Sequence, residues 1–159
     1  MTETRWLSED EVQAWRPLAA MLLLLPPHLG AALQPHGLTF FEYSTLVVLD
    51  ASEDRTRSMT ELAVLSNGEL SRTSHSAKRL EQRGLIRRHR CPTDRRVTLV
   101  SLTEDGLALL AAAAPGHVES VRDAVFDALT PDEAIQLGRL AGNVMRRLDP
   151  DGPWDPATD

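Results

Sequence analysis

Residues 71–96 hold nine lysines or arginines (Arg72, Lys78, Arg79, Arg83, Arg87, Arg88, Arg90, Arg95 and Arg96) against two acids, Glu81 and Asp94. The 159-residue chain has 17 basic and 23 acidic side chains in all, which leaves eight and 21 outside that segment. The segment is therefore near +7 and the remainder near −13, within a formal net charge of −6. Guanidinium forks pair with phosphates and with guanine edges, and short hydroxyls and histidine add directional bonds. Cations gathered on one stretch of an otherwise acidic chain point to a polyanion met by one surface.

The spacing around these residues predicts the elements that carry them. Residues 60–66 form a short helix, and Asn67-Gly68 signals a turn because both residue types tolerate positive φ. A second helix is expected over 71–83, capped by the hydroxyl of Ser71. Thr73, Ala77, Leu80 and, past the helix end, Leu85 follow helical spacing and should face inward. Arg72, His75, Ser76, Arg79 and Arg83 then share the outward face. Two short strands, 86–90 and 97–102, flank a basic loop. Helix, turn, polar helix and hairpin together make a winged helix-turn-helix. The candidate contacts on its recognition helix are Ser71, Arg72, Thr73, Ser74, His75, Lys78 and Arg79. Arg72 and Arg79 suit guanine edges or phosphates; Ser71, Thr73 and Ser74 suit phosphate contacts or capping. The alternative for this helix alone is a solvated basic face, and the hairpin argues against it.

The segments MTELA, LSRTSHSAKRLEQRGLIRR and CPTDRR, followed by LT-x-x-G, resemble the winged helix-turn-helix of the multiple antibiotic resistance regulator (MarR) family. The resemblance is close over residues 38–106 and looser in the flanking helices. It implies double-stranded DNA as partner, with a wing arginine entering the minor groove and an aspartate helping to orient it. Here the wing candidates are Arg90, Asp94, Arg95 and Arg96, with Arg95 and Arg96 at the tip and Asp94 as orienter. A narrow minor groove concentrates negative potential, which draws arginine.

Length allows one domain with a real core, or a small domain with extensions. A single cysteine excludes an intramolecular disulfide framework and fits a reducing cytosol. The apolar run 19–25 is too short to span a bilayer, and the acidic N-terminus lacks the basic start of a signal peptide. We therefore expect a cytoplasmic chain without membrane contact. Ser8/Glu11, Thr39/Glu42 and Thr130/Glu133 mark helix starts, the first with a Leu7/Val12 staple and the last with Pro131 at the first helical position. Thr103 caps another helix, with Leu102 and Leu107 as staple. Pro17 and Pro26-Pro27 should kink or break the first helix, and Pro115-Gly116 the long helix running to about 129. The related family usually has one long rod in the first position, so the prolines are a departure.

Apolar stripes at both ends of the chain, Leu18 to Leu25 and then Val121, Val125, Leu129, Ile135, Leu137, Leu140 and Val144, exceed what a 70-residue winged helix covers. A two-fold homodimer with interlocked terminal helices buries them; an intramolecular bundle is the alternative. The expected fold is mainly α with a small β-hairpin wing. Residues 1–37 form an N-terminal dimerisation region, 38–106 the DNA-binding domain, 107–148 the C-terminal dimerisation helices and 149–159 a flexible tail.

Cys91 sits amid Arg88, Arg90 and Arg95, and positive charge lowers thiol pKa, so a redox-responsive regulator acting through Cys91 is an alternative. In the peroxide-sensing branch of the related family the reactive cysteine lies near the N-terminus, and nothing matches it here. The histidines at 28, 36, 75, 89 and 117 lack metal-ligand spacing, and no cofactor is expected. Trp15, His28, His36, Phe40 and Tyr43 are candidates to line a cleft for a small aromatic or anionic effector, as the resemblance implies. Aromatic residues at helical spacing are otherwise core. No nucleophile elbow, phosphate-binding glycine loop or carboxylate pair suggests an enzyme. The expected function is sequence-specific DNA binding as a ligand-responsive homodimeric repressor on a pseudo-palindromic operator. A winged-helix protein-interaction module without specific DNA binding is the reading from another class.

Overall fold

Five of the six helices begin at a hydroxyl. Ser8, Thr39, Ser58, Thr103 and Thr130 each accept a hydrogen bond from the backbone N–H three residues on. Four of these are full capping boxes, closed by Glu11, Glu42, Glu61 and Glu133. The structure, a computed structural model, describes residues 4–150. Most of the expected tail, 151–159, lies outside the described residues. The helices are α1 (Glu9–Leu33), α2 (Phe40–Asp50), α3 (Met59–Leu65), α4 (Leu70–Gln82), α5 (Glu104–Ala124) and α6 (Pro131–Leu148). The strands are β1 (Thr56–Ser58), β2 (Ile86–Arg90) and β3 (Thr98–Leu102).

The strands form an antiparallel sheet in the order β1-β3-β2. Arg88 lies opposite Val100 in the hairpin, and Arg57 lies opposite Val100 on the other side. β1 falls in the charged stretch 51–58, where the sequence carries no strand signal. Three residues carry no period of their own, and pairing with β3 decides their conformation. The Thr56 and Ser101 hydroxyls, 2.8 Å apart, tie the two strands.

One core joins α1 to α5 with β2 and β3. Leu33, Leu38, Leu46, Leu49, Leu62, Ala77, Leu80, Val100, Leu110 and Ala113 are among its buried members. Each fully buried leucine contributes roughly 1.5–3 kcal/mol relative to exposure. Two glycines permit the close approaches that assemble the core. A Cβ on Gly106 would stand 2.1 Å from the Leu85 carbonyl oxygen, so the first turn of α5 rests directly on the end of the α4–β2 link. A Cβ on Gly68 would stand 2.6 Å from the Phe41 ring. In the 67–68 turn only Asn67 takes positive φ, at 48°; Gly68 is needed for space, not for its backbone freedom.

The proline expectations require correction. α1 runs unbroken through Pro17, Pro26 and Pro27, and α5 through Pro115. Each proline removes one N–H, yet both helices continue past the gaps; α1 packs on the core through Leu29 and Leu33, beyond its three prolines. Leu22 and Leu23, whose carbonyls lose a donor to Pro26 and Pro27, are exposed, so water can reach that stretch. The break comes later than expected, at Val125 (φ −128°, ψ −62°), before a 3-10 turn Phe126–Ala128. With its 3-10 extension, α1 is long and apolar enough by composition to cross a membrane, which the run 19–25 alone is not.

Much of α1 and α6 is left bare. Trp15, Met21, Leu22, Leu23 and Leu24 on α1, and Ile135, Leu140, Val144 and Leu148 on α6, are exposed. Gly142 is the one buried residue of α6. Exposed apolar stripes of this kind mark interaction surfaces.

Candidate nucleic-acid interface

α4 presents four sides, and each is settled by what it meets. Thr73, Ala77 and Leu80 are fully buried in the core. The row at positions 72, 76, 79 and 83 runs along the start of α2. There the Arg72 guanidinium lies over the Phe41 ring, 4.5 Å from its centroid. Ser76 is buried. Arg79 donates through Nε to Glu42 Oε1 at 2.9 Å. Arg83 donates from its two Nη groups to the carbonyls of Gly37 and His36, at 2.6 and 3.0 Å. On the wing side, Glu81 accepts from the Arg88 backbone N–H at 2.9 Å and from its Nε and Nη2 at 2.8 and 2.6 Å. This pairing holds the Glu81 carboxyl below the usual carboxylate range.

What remains open to solvent is a row of exposed side chains at Ser71, His75, Lys78 and Gln82, with Ser74 beside it. The outward face expected from the sequence thus turns by about one residue. Ser76 leaves it for the interior, and Arg72, Arg79 and Arg83 move to its margin, where they brace α4 on α2. Thr73, also a candidate contact, packs inside, and its hydroxyl donates to the Glu69 carbonyl at 3.0 Å. Ser71 is not the cap: α4 starts one residue earlier, after Glu69, without a side-chain cap. Gln82 was missed, although it sits four residues from Lys78 and seven from His75, the spacing that finds one helix face.

The wing tip shows a tight local device. Asp94 Oδ1 accepts from the Arg96 backbone N–H at 2.9 Å and from its Nε at 3.1 Å, and Oδ2 accepts from Nη2 at 3.1 Å. The Arg96 side chain is nevertheless 92% exposed. The fork is oriented and solvated at once, and it keeps the Asp94 carboxyl ionised well below its ordinary range. Arg95 is exposed beside it, while Arg90 reaches back to the Thr98 hydroxyl at 3.3 Å.

Cys91 is partly exposed, and its thiol titrates below the ordinary value. The cause is the Thr93 hydroxyl at 3.2 Å, followed by backbone bonds at Asp94 and Thr93; the neighbouring arginines expected to lower it contribute nothing resolved.

The five cleft candidates do not come together. Phe40 and Tyr43 line a cavity of about 450 Å³ with Ser44, Val47, Val48, Leu65, Ser66, Asn67 and His117. Trp15 is exposed on α1, and His28 lies on another surface, 3.8 Å from Asp123. His36 contributes its carbonyl to Arg83. His117, which no sequence pattern singled out, replaces them. Its ring lies 4.5 Å from Tyr43 and 6.1 Å from Phe40. Burial pushes its pKa down. Its Nδ1 and the Ser66 Oγ are buried without a hydrogen-bond partner. Among the described residues no cluster of His, Cys, Asp or Glu is placed to hold a metal.

Known proteins share this fold. The MarR family model matches residues 36–97. The crystal structure of Sco3205, a MarR family transcriptional regulator from Streptomyces coelicolor in complex with DNA, is 42% identical. It covers 96% of this chain and 98% of its own, with a TM-score of 0.87. The chain belongs to the MarR family. A second MarR family transcriptional regulator from Streptomyces coelicolor, AbsC, is 39% identical over 91% of this chain and 98% of its own, with a TM-score of 0.84. The HTH-type transcriptional regulator MhqR of Bacillus subtilis is 27% identical over 128 residues, 80% of this chain and 86% of its own length. This MarR protein accordingly has the mostly helical winged-helix fold of transcriptional regulators.

Proposed function

We propose that this MarR protein is a cytoplasmic homodimer that binds a pseudo-palindromic operator and represses transcription by occupying it. The row Ser71, Ser74, His75, Lys78 and Gln82 enters the major groove, and Arg96 enters the adjoining minor groove. Arg72, Arg90 and Arg95 meet phosphates. The observation that carries this reading is the Arg96 fork, held on three hydrogen bonds by Asp94 yet open to solvent. An arginine so fixed loses little freedom when it docks. The Sco3205 structure in complex with DNA supports the same reading.

The dimer rests on the bare stripes of α1 and α6, which a second copy buries without lipid. It divides the chain as the sequence suggests: 1–37 and 107–148 for dimerisation, 38–106 for DNA. Two recognition helices then reach successive major grooves one turn apart. The cavity beneath α2 takes a small aromatic effector with a polar or anionic group. Its aromatic wall and its two unpartnered polar atoms, Ser66 Oγ and His117 Nδ1, favour that class. Such a ligand shifts the regulator only by binding one spacing of the two heads better than the other.

The deciding experiment is an anisotropy titration with duplexes selected from the source genome, including the region upstream of this chain's own gene. One selected duplex should bind much more tightly than a scrambled one. The affinity should also fall steeply with salt, roughly 1,000-fold or more between 50 and 200 mM if six or more phosphates are contacted. Equal, weak binding to every duplex by folded protein would leave the interaction-module reading instead.

A further inference from the structure

We propose that Glu42 is a positioning residue for DNA reading, fixing the Arg79 guanidinium by its Nε edge so that the remaining donors of the fork serve the duplex at the margin of the α4 row. The inference rests on the operator-binding function above and adds a residue from outside both the recognition helix and the wing.

Glu42 is 4% exposed, and its carboxylate is used on both oxygens. Oε2 closes the α2 capping box, accepting from the Thr39 N–H and hydroxyl at 2.9 Å each. Oε1 accepts from Arg79 Nε at 2.9 Å. Capping alone does not require a charge, because glutamine at the same position also closes a capping box. A buried carboxylate is costly unless it is paired. Its cationic partner here is Arg79, whose side chain is 60% exposed. Only the Nε–H is taken by Glu42, so the four N–H donors on the two Nη groups are left to the exposed side of the pair.

The neighbouring row shows why this orientation matters. Arg79 follows Lys78 and stands one turn from His75 and from Gln82, all exposed. The arrangement repeats at helix level what Asp94 does for Arg96 on the wing: a carboxylate behind the guanidinium, solvent before it.

Electrostatics and positioning predict opposite signs for one substitution. Glu42→Gln keeps the shape and the cap but removes a negative charge near the DNA face. Through charge alone it strengthens binding to any duplex. Through lost orientation it weakens binding to the operator. Anisotropy titrations of wild type, Glu42→Gln, Arg79→Ala and the double variant, on the selected operator and on a scrambled duplex, read both. We expect Glu42→Gln to lose roughly tenfold on the operator, with scrambled-duplex affinity unchanged or higher. In the Arg79→Ala background the same change should cost nothing further on the operator. Operator affinity at or above wild type, or losses that add in the double variant, overturns the proposal. Should Glu42→Gln fail to fold, Arg79→Lys carries the test: its ammonium still pairs with Glu42 but has no second edge to offer. The same operator-selective loss is expected, and undiminished discrimination overturns the inference. A wild-type protein without any preference among duplexes is a distinct failure, which removes the operator-binding function as well.

Discussion

Arg96 and Asp94 illustrate how little of a residue's role lies in its charge alone. Replacing Arg96 by alanine should weaken operator binding by roughly tenfold or more and leave the thermal midpoint almost unchanged, because the side chain supports nothing else. Asp94→Asn should show a smaller loss in the same titration. This pair was legible in the sequence through its spacing and its family likeness. Gly68 and Gly106 were legible as a turn and as part of LT-x-x-G, but their physical reason was not. Gly106→Ala should cost about 3 kcal/mol in a urea titration, because its methyl meets a backbone carbonyl that has nowhere to go. Gly68→Ala presses on an aromatic ring and should cost about 1–3 kcal/mol. His117 makes a pH-dependent contribution. Its folded pKa lies below the ordinary value near 6.5, so between the two values the unfolded chain holds more protons than the folded one. Stability should therefore drop as pH falls below about 6.5, and the loss is complete once the partly buried imidazole is itself protonated. His117→Gln should flatten that slope in urea midpoints compared at about pH 5.5 and pH 7.5.

At the level of elements, the capped helices were the readable part. Thr39, Thr103 and Thr130 advertise their helices because a hydroxyl followed by glutamate or an apolar staple is a local signal, and the structure starts α2, α5 and α6 there. Where tertiary contacts decide, the sequence misleads. Four prolines promised breaks in α1 and α5, yet both helices run through them. β1 exists because β3 offers it an edge. The facing of α4 shows the same limit: periodicity put Ala77 and Leu80 inside but left Ser76 outside, and only the contacts with Phe41, Glu42 and Gly37 reveal that one outward row braces the helix on α2. The effector candidates suffered most. A cavity gathers residues from α2, the α3–α4 turn and α5, and no linear spacing joins Tyr43, Ser66 and His117.

For the molecule as a whole, the proposed dimer rests on the bare stripes of α1 and α6. Leu140→Glu, at an exposed position of the α6 stripe, should halve the mass seen in sedimentation equilibrium without unfolding the core, which α6 hardly enters. The same variant should lose operator affinity on the order of 100-fold, since each head then binds alone. The unbroken course of α5 has a further consequence. Its 21 residues make a rod of about 30 Å, seated at one end on the Leu85 carbonyl through Gly106. A stiff rod works as a lever: a tilt of about five degrees at its distal end swings the seated head by roughly 2–3 Å, a large fraction of the rise between neighbouring base pairs. Had Pro115 made a joint, that tilt would have been absorbed halfway along.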